Sequence, residues 1–436
     1  MRQPTSVRNP SAQRTILFLQ GVASPFFAEL GRNLKARGHR VRRINFSLGD
    51  ELFWPLPATG YRGSLSNWRK FLAAYLARQG ITDIVLFGDC RPYHRIAIGL
   101  AAHHRVQVHV LEEGYLRPYW ITVEQGGVNG HSSLPADPDE IRRLAAELEP
   151  PLQAEFAGSF VRRAVWDVTY SFANMLGRPM YPGYRRHRPN HVLVEYSGWL
   201  RRLARGRKVE RHAEAAVKRA VSLRHGFFLV PLQLDSDYQI RIHSRFADLR
   251  EFLEEALASF ARHAPPDVEL LIKVHPLDPG LVDRPAQIAA LAARHGVIRR
   301  VTTIEGGHLP TLLAAARGVV VVNSTVGSSA LEARRPTIAL GTAIYNIPGL
   351  TFQDGLDRFW TEAAPPDFDL FTAFRTLIVH RTLVNGGFFC RQGIAMAVGV
   401  AADRVLAAEQ IHYGYWAGGR LESVPAPLYP TPYPAE

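Results

Sequence analysis

Residues 270–276 read LLIKVHP: an apolar run that ends in a cation, an imidazole and a proline. A strand ending this way delivers Lys273 and His275 to one point. Pro276 lacks an N–H and turns the chain out of the ladder. A full charge and a ring N–H at a strand end suit a phosphate. A histidine satisfied at a sheet edge beside a turn proline would read the same, so the pair draws its weight from its neighbours.

Two βα units later comes NSTVGSSALEA, residues 323–333. Asn323 leads into Ser324, Thr325, Ser328 and Ser329, four hydroxyls around a glycine where a helix begins. Free N–H groups and the positive end of the helix dipole favour an anion there. An ordinary N-cap needs one such hydroxyl, and this loop offers several. Before both lies VPLQLDSDYQIRIHS, residues 230–244, with Gln233, Asp235, Asp237 and Arg241. Its two acids could hold a divalent metal beside a nucleotide diphosphate, or form a surface turn. A cleft already supplied with Lys273, His275 and a helix end can stabilise a departing phosphate without a metal, so none is expected.

The first half of the chain supplies acids. VLEEGYLRPYW, residues 110–120, ends a strand with adjacent Glu112 and Glu113. Their side chains must point to opposite faces, and one of them is placed as a general base. An ion pair with Arg117 is the alternative. LFGDCRPYHR offers Asp89, Arg91 and His94, and LQGVASPFF offers Gly21 for close backbone approach.

These segments need rigid elements behind them. TILFLQG, HRVRRINF, ITDIVLFGD and VQVHVLEEG read as strands, with PFFAELGRNLKARG and RIAIGLAAHH as helices between them. Nearly continuous apolar strands alternating with helices predict a parallel sheet covered on both faces. Residues 135–225 are Arg-rich and helical, a connection between two units. The alternation then restarts through GFFLVPLQL, VELLIKVHP, VIRRVTTI, VVVVN and PTIALG. The expected fold is α/β, two Rossmann-like doubly wound domains facing across a cleft. In such sheets ligands bind outside the carboxyl ends of the strands, where all the residues above stand. FRTLIVHRTLVNGGFFC, 374–390, is expected to return to the first domain.

Length and composition agree with two domains. The chain has 436 residues, 47% of them hydrophobic. With 52 Lys and Arg against 39 acids, it carries +13 and needs anionic company: nucleic acid, anionic lipid or a phosphorylated substrate. No named nucleic-acid motif is present, so nucleic acid is not expected. The basic stretch at 181–220 could be a solvated helical face or lie on anionic headgroups. Two cysteines exclude a disulfide scaffold and, as an expectation, a Cys-based zinc site. No secretory signal and no run of the ~18–20 apolar residues that span a bilayer are evident.

Taken together, LFLQGVASPFFAELGRNLKARGHRVRRINFSLGDELFWP, LFGDCRPYH, EEGYLRP, VPLQLDSDYQI, KVHP and VNSTVGSSALEARRPTIALGTAIY resemble the KpsS/LipB family of capsule polysaccharide biosynthesis and export proteins of Gram-negative bacteria. The resemblance runs from about residue 15 to 391. It implies a GT-B-like β-Kdo glycosyltransferase, with CMP-Kdo as donor substrate and no further cofactor. It implies (lyso)phosphatidylglycerol as acceptor and retention of anomeric configuration. It carries the nucleophile onto Asp237, with Gln233 four residues earlier, and the acid/base onto Glu112 or Glu113. His275 and residues 324–328 fall on the CMP phosphate, and Glu332, read as lying in the first turn of its helix, on the ribose. Arg117, Arg241, Asp89 and Gly21 are weaker candidates for the sugar carboxylate or acceptor.

The expected division is a disordered tail (1–14), an acceptor-side domain with a basic helical insertion (15–220) and a nucleotide-sugar domain (221–375). Returning helices (376–418) and a Pro-rich tail (419–436) complete it. The implied setting is the inner face of the bacterial inner membrane, beside a KpsC-type Kdo transferase and the capsule export complex. A sialic acid or other CMP-sugar transferase, and a non-catalytic glycolipid-binding export adaptor, are the alternatives.

Overall fold

A computed structural model describes residues 12–186, 192–235 and 238–407. Residues 1–11 of the tail expected at 1–14, residues 408–418 of the expected returning helices and the tail expected at 419–436 lie outside the described residues. Arg14, assigned to the first tail, is instead anchored. Its guanidinium donates to the carbonyls of Val405 (3.0 Å) and Leu406 (2.6 Å) and pairs with Asp83.

The first sheet contains β1 (Thr15–Phe18), β2 (Arg40–Asn45), β3 (Thr59–Gly60), β4 (Asp83–Phe87), β5 (Gln107–Glu113) and β6 (Trp120–Gln125). The second contains β7 (Phe227–Pro231), β8 (Glu269–Lys273), β9 (Val301–Ile304), β10 (Gly318–Val321) and β11 (Thr337–Ala339). The last strand, β12 (Leu383–Asn385), returns to the first sheet. The orders are β12-β6-β5-β4-β1-β2-β3 and β11-β10-β7-β8-β9. Both are doubly wound, with the order reversing beside β1 in one and beside β7 in the other. The strands TILF, FFLVP and GVVV are buried along their whole length, as helices on both faces require.

The first sheet departs from the all-parallel expectation at one edge. β6 pairs antiparallel with β5, and β12 antiparallel with β6. The turn after β5 is tight enough to double back without a crossover helix, because Gly114 brings its backbone against Trp120; a Cβ at Gly114 would lie 2.3 Å from the Trp120 carbonyl.

Helices follow their apolar spacing. In Leu249–His263 the buried residues Leu249, Phe252, Leu253, Ala256, Leu257 and Phe260 form one stripe, and the Asp248 carboxylate caps the helix by accepting the Glu251 N–H at 2.9 Å. The basic helix Val192–Val221 rests on the second domain near its C-terminal end. Its Ala213, Ala216, Val217 and Ala220 are covered, with Ala213 and Val217 against Gly306 and Gly307, and Arg219 pairs with Glu269. It packs on the second domain, so the boundary expected at 220/221 must fall before this helix. Among the described residues no helix is long and apolar enough to cross a membrane.

The two domains share apolar packing. One core cluster joins Tyr115, Trp120 and Ile141 to Phe227, Leu271 and Val321 of the second domain and to Phe371 and Leu377 of the returning helix Phe368–Thr382. The carboxyl edges of the sheets therefore meet across a seam that is filled in part.

Candidate active site at the domain interface

At the switch point of the second sheet, β7 and β10 are locked together just past their ends. Gln233 donates its amide N–H to Asn323 Oδ1 at 3.0 Å, and its Oε1 accepts the Asn323 backbone N–H at 3.4 Å. The helix Thr325–Glu332 starts at once. Ser324 caps it by accepting the Val326 N–H at 3.2 Å, the common use of such a residue. Gly327 is required by space, since a Cβ there would stand 2.2 Å from the Tyr345 hydroxyl. That hydroxyl donates to the Ser324 carbonyl at 2.5 Å and pins the loop. Asn323, Thr325 and Ser328 then line a narrow crevice whose opposite wall is Tyr115 and Asn129 of the first domain.

His275 stands on the other side of β7. The sheet order places β8 and β10 two strand spacings apart, about 10 Å. His275 Nδ1 accepts the Leu277 N–H at 2.9 Å, and Asp278 N–H returns to the His275 carbonyl at 3.0 Å, so Pro276 occupies the second position of a tight turn. With Nδ1 accepting, the neutral ring carries its proton on Nε2. Burial, then the charges of Arg117, Lys273, Arg202 and Arg163, draw the pKa of His275 down to about 4. Arg117 and Arg163 belong to the first domain; the imidazole therefore faces a cationic rim built from both. Lys273 is nearly covered, and burial followed by Arg202 lowers its pKa. Arg202 is tied down on the carbonyls of Asp278 (2.6 Å) and Glu305 (3.3 Å).

The two glutamates part as their alternation requires, with Glu112 opposite Thr122 and Glu113 opposite Ile121 on β6. Glu113 meets Arg163 at 2.6 Å and Arg117 at 3.4 Å. Burial pushes its carboxyl up, but Arg117 and then Arg163 outweigh that and hold it below its usual range. Glu112 lies 3.5 Å from the Asn129 amide, toward the crevice wall. Glu113 is thus committed to two arginines, while Glu112 stands toward the crevice wall.

Several expected site residues have other roles. Asp237 lies outside the described residues. Asp235 pairs with Arg284, which removes it from the metal-binding reading. Arg241 lies on the short helix Tyr238–Ile242. Glu332 is corrected: it is exposed and ends its helix, roughly 10 Å along the axis from the Ser324 end. Asp89 is corrected as well. It is buried and accepts from His131 Nδ1 (2.9 Å), the Val128 N–H (3.1 Å) and the Cys90 thiol (3.1 Å), so it does not face an acceptor. Gly21 makes room for the Phe27 ring, which a Cβ would meet at 2.8 Å, and not for a ligand. The exclusion of a Cys-containing metal site reaches only sites built from several cysteines. Asp89, Cys90, His131 and His243 bring their donor atoms within 4.8 Å of one another.

Sequence reading missed Arg163, Arg202 and Glu124. The first two sit in the Arg-rich region, where no arginine stands out by type. Glu124 sits on β6, a strand that went unrecognised. It accepts from the Tyr115 hydroxyl and from Ser132 Oγ at 2.5 Å, and burial raises its pKa to about 7 despite those bonds. A carboxyl whose folded pKa is raised contributes stability below its unfolded pKa and loses it as pH rises through the folded value. Glu124→Gln should therefore flatten the fall in stability between about pH 4.5 and 7 by roughly 3 kcal/mol. Melting curves of both proteins across that window measure it, and the difference between them isolates this group from the histidines that titrate nearby.

A model of the family described as "Capsule polysaccharide biosynthesis protein" matches residues 82–389. The chain is 37% identical over 388 residues to the capsule polysaccharide modification protein LipB of Neisseria meningitidis, covering 86% of this chain and 91% of the relative. It is 34% identical to the capsule polysaccharide export protein KpsS of Escherichia coli, covering 86% and 96%. Among solved structures it is similar to Thermosulfurimonas dismutans KpsC, beta Kdo 2,7 transferase, with a TM-score of 0.43, 13% identity and coverage of 91% of this chain and 99% of that one.

Proposed function

The chain belongs to the capsule polysaccharide biosynthesis protein family, and from that membership we propose that it is a retaining β-Kdo glycosyltransferase. It moves Kdo from CMP-Kdo to (lyso)phosphatidylglycerol, beginning the lipid anchor of a capsule. The observation that carries the reading is the cationic rim around His275, to which both domains contribute, beside the acid-bearing end of β5. A departing nucleotide monophosphate needs fixed positive charge and N–H donors, and an acceptor hydroxyl needs a base opposite them.

Retention follows from two displacements. The Asp237 carboxylate attacks the anomeric carbon, the bond to the phosphate oxygen breaks, and CMP leaves with the electron pair. His275 Nε2–H, Lys273 and the start of the helix Thr325–Glu332 take up the charge. The acceptor hydroxyl then displaces Asp237 from the sugar and gives its proton to Glu112. Arg117 and Arg163, already held on Glu113, lie where a Kdo carboxylate can be received.

A lipid acceptor calls for a membrane-facing surface, and the helix Phe160–Leu176 supplies one. Val161, Val165, Val168, Phe172 and Met175 recur at helical spacing and are exposed, Val161 at 72% and Phe172 at 53%. The covered face packs Trp166 and Tyr170 against Phe53 and is also tied down by polar bonds. The Tyr170 hydroxyl donates to Asp50 at 3.1 Å and Asn174 Oδ1 accepts the Gly49 N–H at 2.8 Å. A helix that leaves this apolar stripe exposed, with exposed Arg178 and Arg185 beyond its end, fits an anionic bilayer surface. Each large side chain buried in lipid is worth about 1.5–3 kcal/mol. Val165→Asp with Phe172→Asp should therefore weaken binding to phosphatidylglycerol vesicles at least roughly tenfold, read by co-sedimentation, while melting is unchanged.

The reaction is tested by incubating the protein with CMP-Kdo or CMP-sialic acid and a fluorescent phosphatidylglycerol, with products identified by mass. Kdo transfer supports the proposal. Sialic acid transfer replaces the donor. Tight glycolipid binding with no turnover, indifferent to Asp237→Asn, makes the protein an adaptor and overturns it.

A further inference from the structure

The cluster of Asp89, Cys90, His131 and His243 takes no part in the chemistry above. Asp89 and Cys90 follow β4, and His131 lies in the short turn Asn129–His131, all in the first domain. His243 comes from the second domain, just after the helix Tyr238–Ile242. Cys90 Sγ is 3.1 Å from Asp89 Oδ1 and 3.3 Å from His243 Nε2, and Asp89 Oδ2 is 2.9 Å from His131 Nδ1. The imidazoles meet edge to face with centroids 4.6 Å apart. All four donor atoms lie within 4.8 Å of one another, and Asp89, Cys90 and His243 are buried.

We infer that these four residues form a site for a borderline-soft divalent cation of the zinc class, which staples the two domains at their seam. Two ring nitrogens, a thiolate and a carboxylate oxygen make a donor set suited to zinc in tetrahedral coordination. The donors are held from behind, as a site of this kind requires. The Val128 N–H fixes Asp89 Oδ2. The His243 carbonyl accepts from the Thr342 N–H at 2.7 Å and from the Asn323 amide at 3.2 Å. The His243 ring lies against Gly130, where a Cβ would come within 2.4 Å of its Nδ1, so only glycine admits the ring at this point. Drawing the donors onto one cation takes movements of less than an ångström to a little over one, given Zn–N near 2.0–2.1 Å and Zn–S near 2.3 Å.

Loading balances simply. The Cys90 S–H bond breaks and its proton goes to solvent, Asp89 binds as carboxylate, and both imidazoles bind neutral, with the His131 proton moving to Nε2. One proton is released for each cation bound. Nothing is oxidised or reduced. The site does not depend on the glycosyltransferase reading and takes no step in it.

The test uses the full-length protein, stripped with a chelator and titrated with Zn²⁺ against a chromophoric competitor, and separately with Co²⁺. The expected result is one equivalent of zinc, about one proton released, and a cobalt complex with a thiolate-to-metal charge-transfer band. Cys90→Ser should abolish the band, and Cys90→Ser and His243→Asn should each weaken zinc binding more than about 100-fold, beyond the effect of losing an outer partner. Zinc should raise the melting temperature of the wild type and not of either variant, which separates a lost site from a damaged fold. Absence of stoichiometric zinc, a cobalt spectrum without the thiolate band, or zinc retained by the Cys90→Ser, His243→Asn double variant would each overturn the site. The cluster would then be a hydrogen-bonded seam alone.

Discussion

Replacing His275 with alanine lowers kcat for Kdo transfer by about 10²–10³, the cost of one preorganised donor to developing charge, and leaves KM for the lipid nearly unchanged. The size follows from the donor's environment. Leu277 N–H occupies Nδ1, so the ring cannot turn its proton away from Nε2 without losing a 2.9 Å bond. Burial and four neighbouring cations keep it neutral down to about pH 4. A neutral donor needs no counter-charge of its own and is present across the working range. The pH profile of the wild type should therefore show no step near 6.5 from this group. A His275→Asn variant, able to donate one N–H at shorter reach, should recover part of the loss. Steady-state kinetics of the three proteins decide it. If the alanine variant loses less than threefold, the phosphate is held elsewhere.

How far this site could be read from the sequence depends on the range of the interactions. LLIKVHP specifies its own geometry, because a strand, a histidine and a proline set the turn between neighbours in the chain. NSTVGSS does the same through its cap and Gly327. The pairing of Glu113 with Arg163 is not local; it depends on a helix 50 residues later lying across the end of β5. The two-domain alternation was legible because buried parallel strands are continuous apolar runs. β6 and β12 were not, since they join the sheet edge antiparallel through tertiary packing with no crossover to announce them. Glu332 was misplaced because the helix starts at Thr325, directly after its Ser324 cap, and its length puts the acid at the far end. The cysteine count missed a mixed donor cluster, because His131 and His243 are 112 positions apart (243 − 131) and meet only when the domains close on each other.

The Asp237→Ala variant should retain CMP-Kdo binding and lose transfer almost entirely. The prediction rests on the resemblance for the residue and on the mapped neighbours for the setting. Gln233, four positions earlier, is fixed to Asn323 at the switch point, where β7 lies between β8, which leads to His275, and β10, which leads to the Ser324 helix. Asp235, the only other acid of that segment, is committed to Arg284 and cannot substitute without breaking that pair. A two-step retaining route makes a covalent intermediate that a front-face route does not. With CMP-Kdo present and acceptor withheld, acid-quenched wild type should therefore carry a Kdo adduct on the peptide containing Asp237, seen by mass spectrometry. Asp237→Ala should carry none. Glu112→Gln, which still permits the first displacement but slows removal of the acceptor proton, should accumulate more adduct than wild type once acceptor is added; Glu113→Gln should not, because its carboxylate serves Arg117 and Arg163. Full transfer by the Asp237→Ala variant would remove the nucleophile and with it the double-displacement route.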